Sequence, residues 1–168
     1  MKNRIPFLLL LVCLIYSCSQ TPKRHVTELQ YQQRLEQLLS QVDSNLSKIA
    51  IADSIQKKKL LFIFLSTSFS SSGKLSDSLK TMGYDLSSSG TTPHNKFQGL
   101  EIDPNYRKEH HVKDYINVNY PIMTWEVLLH SDTVKSYIKD MAAIGFHFDC
   151  DIYTWGFVGE EETDLLIF

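Results

Sequence analysis

The chain has 168 residues, of which 43% are hydrophobic, 21% charged and 11% aromatic, with a formal net charge of −2. That composition is globular and lies outside the disordered, collagenous and coiled-coil classes. The near-balanced charge gives no basic surface for nucleic acid, and three cysteines are too few for a disulfide scaffold.

Lys2 and Arg4 precede an apolar run from Ile5 to Tyr16, broken only by Pro6. A positive start and a short apolar run form the layout of a secretory signal, and the run falls short of the ~20 residues that a membrane span needs. It ends Ile15-Tyr16-Ser17-Cys18. An apolar residue and a small residue before a cysteine resemble the lipobox of bacterial lipoproteins. The resemblance implies diacylglycerol on the Cys18 sulfur, cleavage before Cys18, and acylation of the new amino terminus. The expected organisation is a signal peptide over 1–17, a lipidated tether over 18–25, an amphipathic helical segment over 26–58 and an α+β domain over 59–168. Ser19 after the lipid cysteine points to the outer membrane, facing the periplasm, in a Gram-negative host. Cys13 leaves with the signal and Cys18 carries lipid. Cys150 is then the remaining thiol, expected to be buried and inert.

Thr27-Glu28-Leu29-Gln30 has the form of a capping box, with Val26 and Tyr31 as its hydrophobic staple. Leu35, Leu38, Leu39, Val42, Leu46 and Ile49 follow at spacings of three and four, which puts them on one helical face. This predicts a helix packed on the domain behind it; a partner-binding or dimerising helix is the sharper alternative. Leu60 to Leu65 is an unbroken apolar run, expected as a central strand buried on both faces. Ser70 to Gly73 reads as a turn. Leu75, Leu79 and Met82 then share a helical face, and Gly83 supplies a left-handed residue after the helix. Ser87 to Tyr115 is weakly patterned and is expected as a loop insertion. It contains His94, His110 and His111, of which the adjacent pair face opposite ways in an extended segment. Tyr115 to Tyr120 alternates and suggests a further strand.

The second half repeats the plan. Met123 to Leu129 reads as a strand, Ser131 or Asp132 as an N-cap, and Val134, Tyr137, Ile138, Met141 and Ile144 as an apolar stripe closed by Gly145. Two such units suggest a ferredoxin-like split βαβ sandwich preceded by the N-terminal helix. A degenerate thioredoxin-like fold is the alternative. It rests on the Ser-rich turn after the buried strand and on Tyr120-Pro121. Leu165 to Phe168 is either a closing strand or a sticky tail.

Phe146 to Trp155 alternates and reads as a strand. It would send Phe146, Phe148, Cys150 and Ile152 toward the helices. His147, Asp149, Asp151, Tyr153 and Trp155 would lie on an open sheet face, joined by Glu126 and His130. Histidine and carboxylate are adequate metal ligands, so these seven residues are the candidate ligand face; the alternative is a solvated sheet surface. No nucleophile elbow, Walker loop, dinucleotide fingerprint, zinc-protease motif or Cys-x-x-Cys pair occurs, and no cofactor is implied.

Leu79-Lys80-Thr81-Met82-Gly83-Tyr84-Asp85 and Tyr153-Thr154-Trp155-Gly156, with a helix over 134–144, resemble the ribonuclease E inhibitor B (RraB-like) family over residues 60–160. The resemblance implies a ferredoxin-like fold, with Tyr153, Trp155 and Gly156 as structural residues. Thr154 stands where that family has Asp-Gly, and the 87–115 insertion has no counterpart. The expected function is that of a lipid-anchored envelope protein acting as a non-catalytic binding module. A metal- or small-ligand-binding protein, or a hydrolase, is the alternative.

Overall fold

A computed structural model describes residues 24–49, 57–86, 117–159 and 165–168. The lipobox, Cys18 and the insertion at 87–115 lie outside these residues. The described chain is mixed α and β, with every strand pairing antiparallel.

Helix α1 runs Glu28–Ile49, and its capping box forms as the sequence predicts. The Gln30 amide donates to Thr27 Oγ1 (3.2 Å), and Gln30 Oε1 accepts from the Thr27 amide (2.9 Å). Leu38 and Val42 are buried in the main core, with Tyr31, Leu35, Leu39 and Leu46 packed around them. The helix therefore docks on the domain, because its apolar stripe has a sheet-backed helix to pack against.

Strand β1 (Lys57–Lys58) is short, and β2 (Leu60–Ser66) is buried along its whole length, as its unbroken apolar run demands. Helix α2 covers Phe69–Thr81. Residues 70–73 are thus helical rather than a turn. Ser68 supplies the cap, its hydroxyl accepting from the Ser71 amide. Leu75 and Leu79 are buried, while Met82, at the C-cap, is exposed. Gly83 has φ +89°, the left-handed conformation that glycine adopts without strain, and β3 (Tyr84–Asp85) follows.

Strands β4 (Asn117–Asn119) and β5 (Ile122–Met123) run along one edge of β2, divided at Tyr120-Pro121. The Pro121 carbonyl accepts from the Phe62 amide (3.0 Å), so the ladder continues across the break. The expected strand over 123–129 is split by a bend at Thr124 and Trp125. Its second part, β6 (Val127–Leu128), pairs with β1 in a separate two-stranded sheet. Helix α3 (Ser131–His147) has His130 at its N-cap with no side-chain cap bond. Ser131 donates its hydroxyl to Asp43 of α1, and Ser131 and Asp132 both lie inside the first turn rather than at the cap. Val134, Ile138, Met141 and Ala142 are buried. Strand β7 (Asp151–Val158) lies on the other edge of β2, and β8 (Leu165–Ile167) closes beyond it. The main sheet has the order β3-β5-β2-β7-β8, with β4 also on β2.

All three helices contribute to one core on one sheet face, against Leu60, Phe62, Phe64, Met123, Ile152, Trp155 and Phe157. The second face is not open at its centre. Leu61, Ile63, Leu65, Val118 and Tyr120 are buried there, and Asp151 and Trp155 are buried too, so the described residues do not form the exposed acidic–aromatic face expected from the alternation.

The α1–α3 contact carries a charge. Asp43 accepts from Lys135 Nζ (2.7 Å) and from the Ser131 hydroxyl. The Lys135 hydrogen bond, then that of Ser131, holds its carboxyl below the usual carboxylate range. A folded-state pKa below the unfolded one contributes stability that is present above the unfolded pKa and lost as pH falls through the folded one. Urea midpoints of the parent and Asp43→Asn are therefore expected to differ at pH 7 and to converge below about pH 4. A constant gap down to the lowest pH would remove this role for Asp43.

Candidate functional site

The alternation over 146–155 conceals three different structures. Phe146 and His147 belong to the last turn of α3. The helix runs past Gly145 because that glycine serves packing: a Cβ there would sit 2.6 Å from the Phe64 ring and 3.0 Å from the Cys150 carbonyl. Asp149 then takes φ 58°, a left-handed conformation that Asp tolerates better than most residues. Along β7 the register with β2 slips: Phe64 pairs with Ile152 and Ile63 with Thr154. Tyr153 is the extra residue of a β-bulge. The slip turns Trp155 to the same side as Ile152, into the main core, where it is 1% exposed.

The seven candidates consequently separate. His147 is exposed at the end of α3, and His130 is exposed at its start; a helix of 17 residues puts them about 25 Å apart. Glu126 is exposed between β5 and β6. Asp151 is buried, opposite Leu65. Tyr153 is half-buried at the bulge, and Trp155 lies in the core. Among the described residues, no three His, Cys, Asp or Glu side chains come together as a metal-holding group.

Asp149 has the clearest local role. One carboxylate oxygen accepts from the backbone amides of His25 (2.8 Å) and Val26 (2.9 Å); the other meets His25 Nδ1 at 2.8 Å. It thus fastens the residues leading into α1 to the α3–β7 turn. Around this clamp the Phe146 ring has Arg24 over it at 4.4 Å and Tyr31 stacked at 4.7 Å. Asp149→Asn keeps the left-handed backbone accessible but loses charge-assisted bonds. It is expected to cost about 1–2 kcal/mol and to speed hydrogen exchange at the His25 and Val26 amides, with no change in bound metal of the purified protein. Loss of metal with unchanged stability would reverse this assignment.

Arg34 does work that the sequence pattern conceals. From the edge of the buried face of α1, three residues after Tyr31 and four before Leu38, it donates to the carbonyls of Ile152 and Tyr153 and lies over the Tyr153 ring at 5.3 Å. A bulge interrupts the ladder, and here a guanidinium from another element meets its carbonyls. The sequence signal is an arginine at helical spacing from apolar Tyr31 and Leu38. Cys150 is buried just before β7, not in a strand, and burial pushes its thiol up to about 12.

A second aromatic group lies at the opposite end of α3. Trp125 packs edge-on to Tyr84 at 5.2 Å, with its indole nitrogen 3.5 Å from the Tyr137 hydroxyl. Burial, with Tyr137 and Asp140 nearby, pushes the Tyr84 hydroxyl up to about 12. Thr124 donates to the Gly83 carbonyl at 2.8 Å and holds the corner closed. Met82, Trp125 and Leu128 are exposed at this end. A scan against protein-family models finds no match, and a search of curated proteins finds no matching relative.

Proposed function

We propose that the protein is a lipid-anchored lipoprotein of the bacterial cell envelope whose α+β domain is a non-catalytic binding module for a protein or another envelope component. The observation that carries the anchor is Ile15-Tyr16-Ser17-Cys18, closing a short apolar run behind Lys2 and Arg4. Several acyl chains, each CH₂ worth about 0.8 kcal/mol when buried, give stable attachment where a single chain does not. Ser19 favours the outer membrane, facing the periplasm, in a Gram-negative host. The binding-module reading is supported by the use of Asp149 as a backbone clamp and of Trp155 as core. The Trp125 corner, with Met82 and Leu128 exposed beside it, is the surface we assign to the partner, because part-exposed aromatics supply rigid contact area.

The finer fold reading is a ferredoxin-like split βαβ sandwich. It is supported by two units, β2-α2-β3 and β4/β5-α3-β7, whose strands interleave in the order β7, β2, β4/β5, β3, all neighbours antiparallel. Parallel neighbours joined by a crossover, as a thioredoxin-like alternative requires, have no counterpart among the described pairings. The resemblance to the ribonuclease E inhibitor B family lends this fold and no activity. An envelope location separates the domain from a cytoplasmic ribonuclease, and the matched Gly83, Trp155 and Gly156 all have structural tasks.

Metabolic labelling with a palmitate analogue, on the parent chain and Cys18→Ser, tests the anchor. Label on the parent alone, in the membrane fraction, is the expected result. A soluble, uncleaved and unlabelled parent would overturn the proposal.

A further inference from the structure

We propose that β8 is a self-association edge: two copies of this chain join antiparallel through Leu165–Ile167 about a two-fold axis at Leu166, which makes their main sheets continuous.

Three observations carry it. The first is the direction of the backbone groups. The Val158 amide donates to the Lys59 carbonyl, on the β2 side of β7, and the Trp155 carbonyl accepts from the Phe168 amide, on the β8 side. In an antiparallel ladder these directions alternate along each strand. Leu166 stands opposite Phe157 and Ile167 opposite Gly156. Leu166 therefore turns its N–H and C=O toward β7, while Leu165 and Ile167 turn theirs outward. No described strand lies beyond β8.

The second is the lack of a guard. Edge strands are blunted by shortness, charge, proline or a bulge. β3, at the other end of the strand order, has two residues, one of them the exposed Asp85. Leu165-Leu166-Ile167 has no charged residue and no proline, and it pairs with β7 without a register shift. Leu166, opposite the core residue Phe157, lies on the helix side of the sheet. It is 45% exposed, so the helices leave that side of the edge open.

The third is self-complementarity, which selects a second copy as the occupant. The outward groups sit on residues two apart. A copy laid antiparallel and centred on Leu166 sets Leu165 opposite Ile167 of the second copy, and Ile167 opposite Leu165 of the second copy. All four outward groups of each strand are then bonded. The two Leu166 residues form a non-hydrogen-bonded pair, in which Cα atoms approach to about 4.5 Å and side chains are closest. The exposed leucine is covered by its twin. The two β7 strands, against which α1 and α3 lie, come three strand spacings apart, about 14 Å. That exceeds the roughly 8–10 Å between packed helices, so the helices of both copies fit on one side. The interface is small, so association should rise gradually with concentration.

The test uses the full chain in detergent. Sedimentation equilibrium of the parent is expected to show a mass rising with concentration toward twice that of one chain. Leu166→Lys sets like charges opposite each other in the pair, at a position that already meets solvent. It should stay monomeric at the same concentrations, with the circular dichroism of the parent. Leu166→Cys, oxidised with copper phenanthroline, should give a covalent dimer, because a non-hydrogen-bonded pair lies within disulfide reach. Cys150 is buried, and peptide mapping, which separates residue 166 from Cys18, should find 166 joined to 166. Met82→Cys, exposed at the C-cap of α2 before the opposite edge strand, should yield several-fold less. A parent that is monomeric at every concentration overturns the proposal, including the case in which β8 pairs with an extended segment of another protein instead. So does a dimer that persists in Leu166→Lys, as one built on α1 would. If the lysine unfolds the chain, the mapping decides alone: a bridge at 166 supports the edge, and its absence overturns it.

Discussion

Replacing Trp155 by alanine is expected to remove about 3–5 kcal/mol of stability, the range for truncating a buried aromatic. The indole is 1% exposed, pairs through its backbone with Phe62, and has the Phe168 ring at 4.7 Å. It belongs to the core to which all three helices contribute, so truncation leaves a void there. Against a typical domain stability of about 5–15 kcal/mol, the loss is a large fraction of the total. Urea unfolding followed by circular dichroism measures it. A residue on an open ligand face would cost well under 1 kcal/mol on substitution, so a small loss would return Trp155 to the surface role that its alternation suggests.

Gly156→Ala carries the second large effect, expected at about 2–3 kcal/mol from overpacking. Gly156 does not hold a positive φ, so alanine suffers no backbone penalty. The cost is space: a Cβ would run into the Leu166 carbonyl oxygen and lie 3.1 Å from the Ile167 Cα. Both belong to β8, so the added methyl pushes β8 off β7. The bond from the Phe168 amide to the Trp155 carbonyl (3.1 Å) should open first. Faster exchange of the Phe168 amide, ahead of β2 amides, is the signature. If the Phe168 amide exchanges no faster than in the parent, β8 adapts and the close approach is not the constraint.

Patterns that depend on one period over many residues were legible. The α1 stripe, the doubly buried β2 run and the α3 stripe each extend long enough for burial to outweigh local detail. The α+β class follows from them. What the sequence hid are the changes of period. Gly145 looks like a helix stop because glycine often ends helices; here it admits the Phe64 ring. Phe146 to Trp155 alternates by coincidence of a helix end, a left-handed Asp149 and a bulge at Tyr153. The single slip at the bulge, one residue in a period of two, turns an apparent surface tryptophan into core. The candidate ligand set failed to assemble for the same reason, since it presumed one continuous strand. Arg34 and Asp149 were invisible as partners because their contacts join residues more than a hundred positions apart.

Those separations have a kinetic consequence. Helix α1 is among the first segments to be made, yet its fastenings lie at Phe146, Asp149, Ile152 and Tyr153. Central β2 likewise waits for β7, pairing Leu60 with Phe157. The ordering entropy of the early segments is spent before these distant partners reward it. A chain secreted residue by residue would therefore stay unfolded until its last fifth emerged, and then fold slowly in one cooperative step. Such a protein is suited to threading through an export channel, and it is exposed to proteolysis and aggregation while it waits.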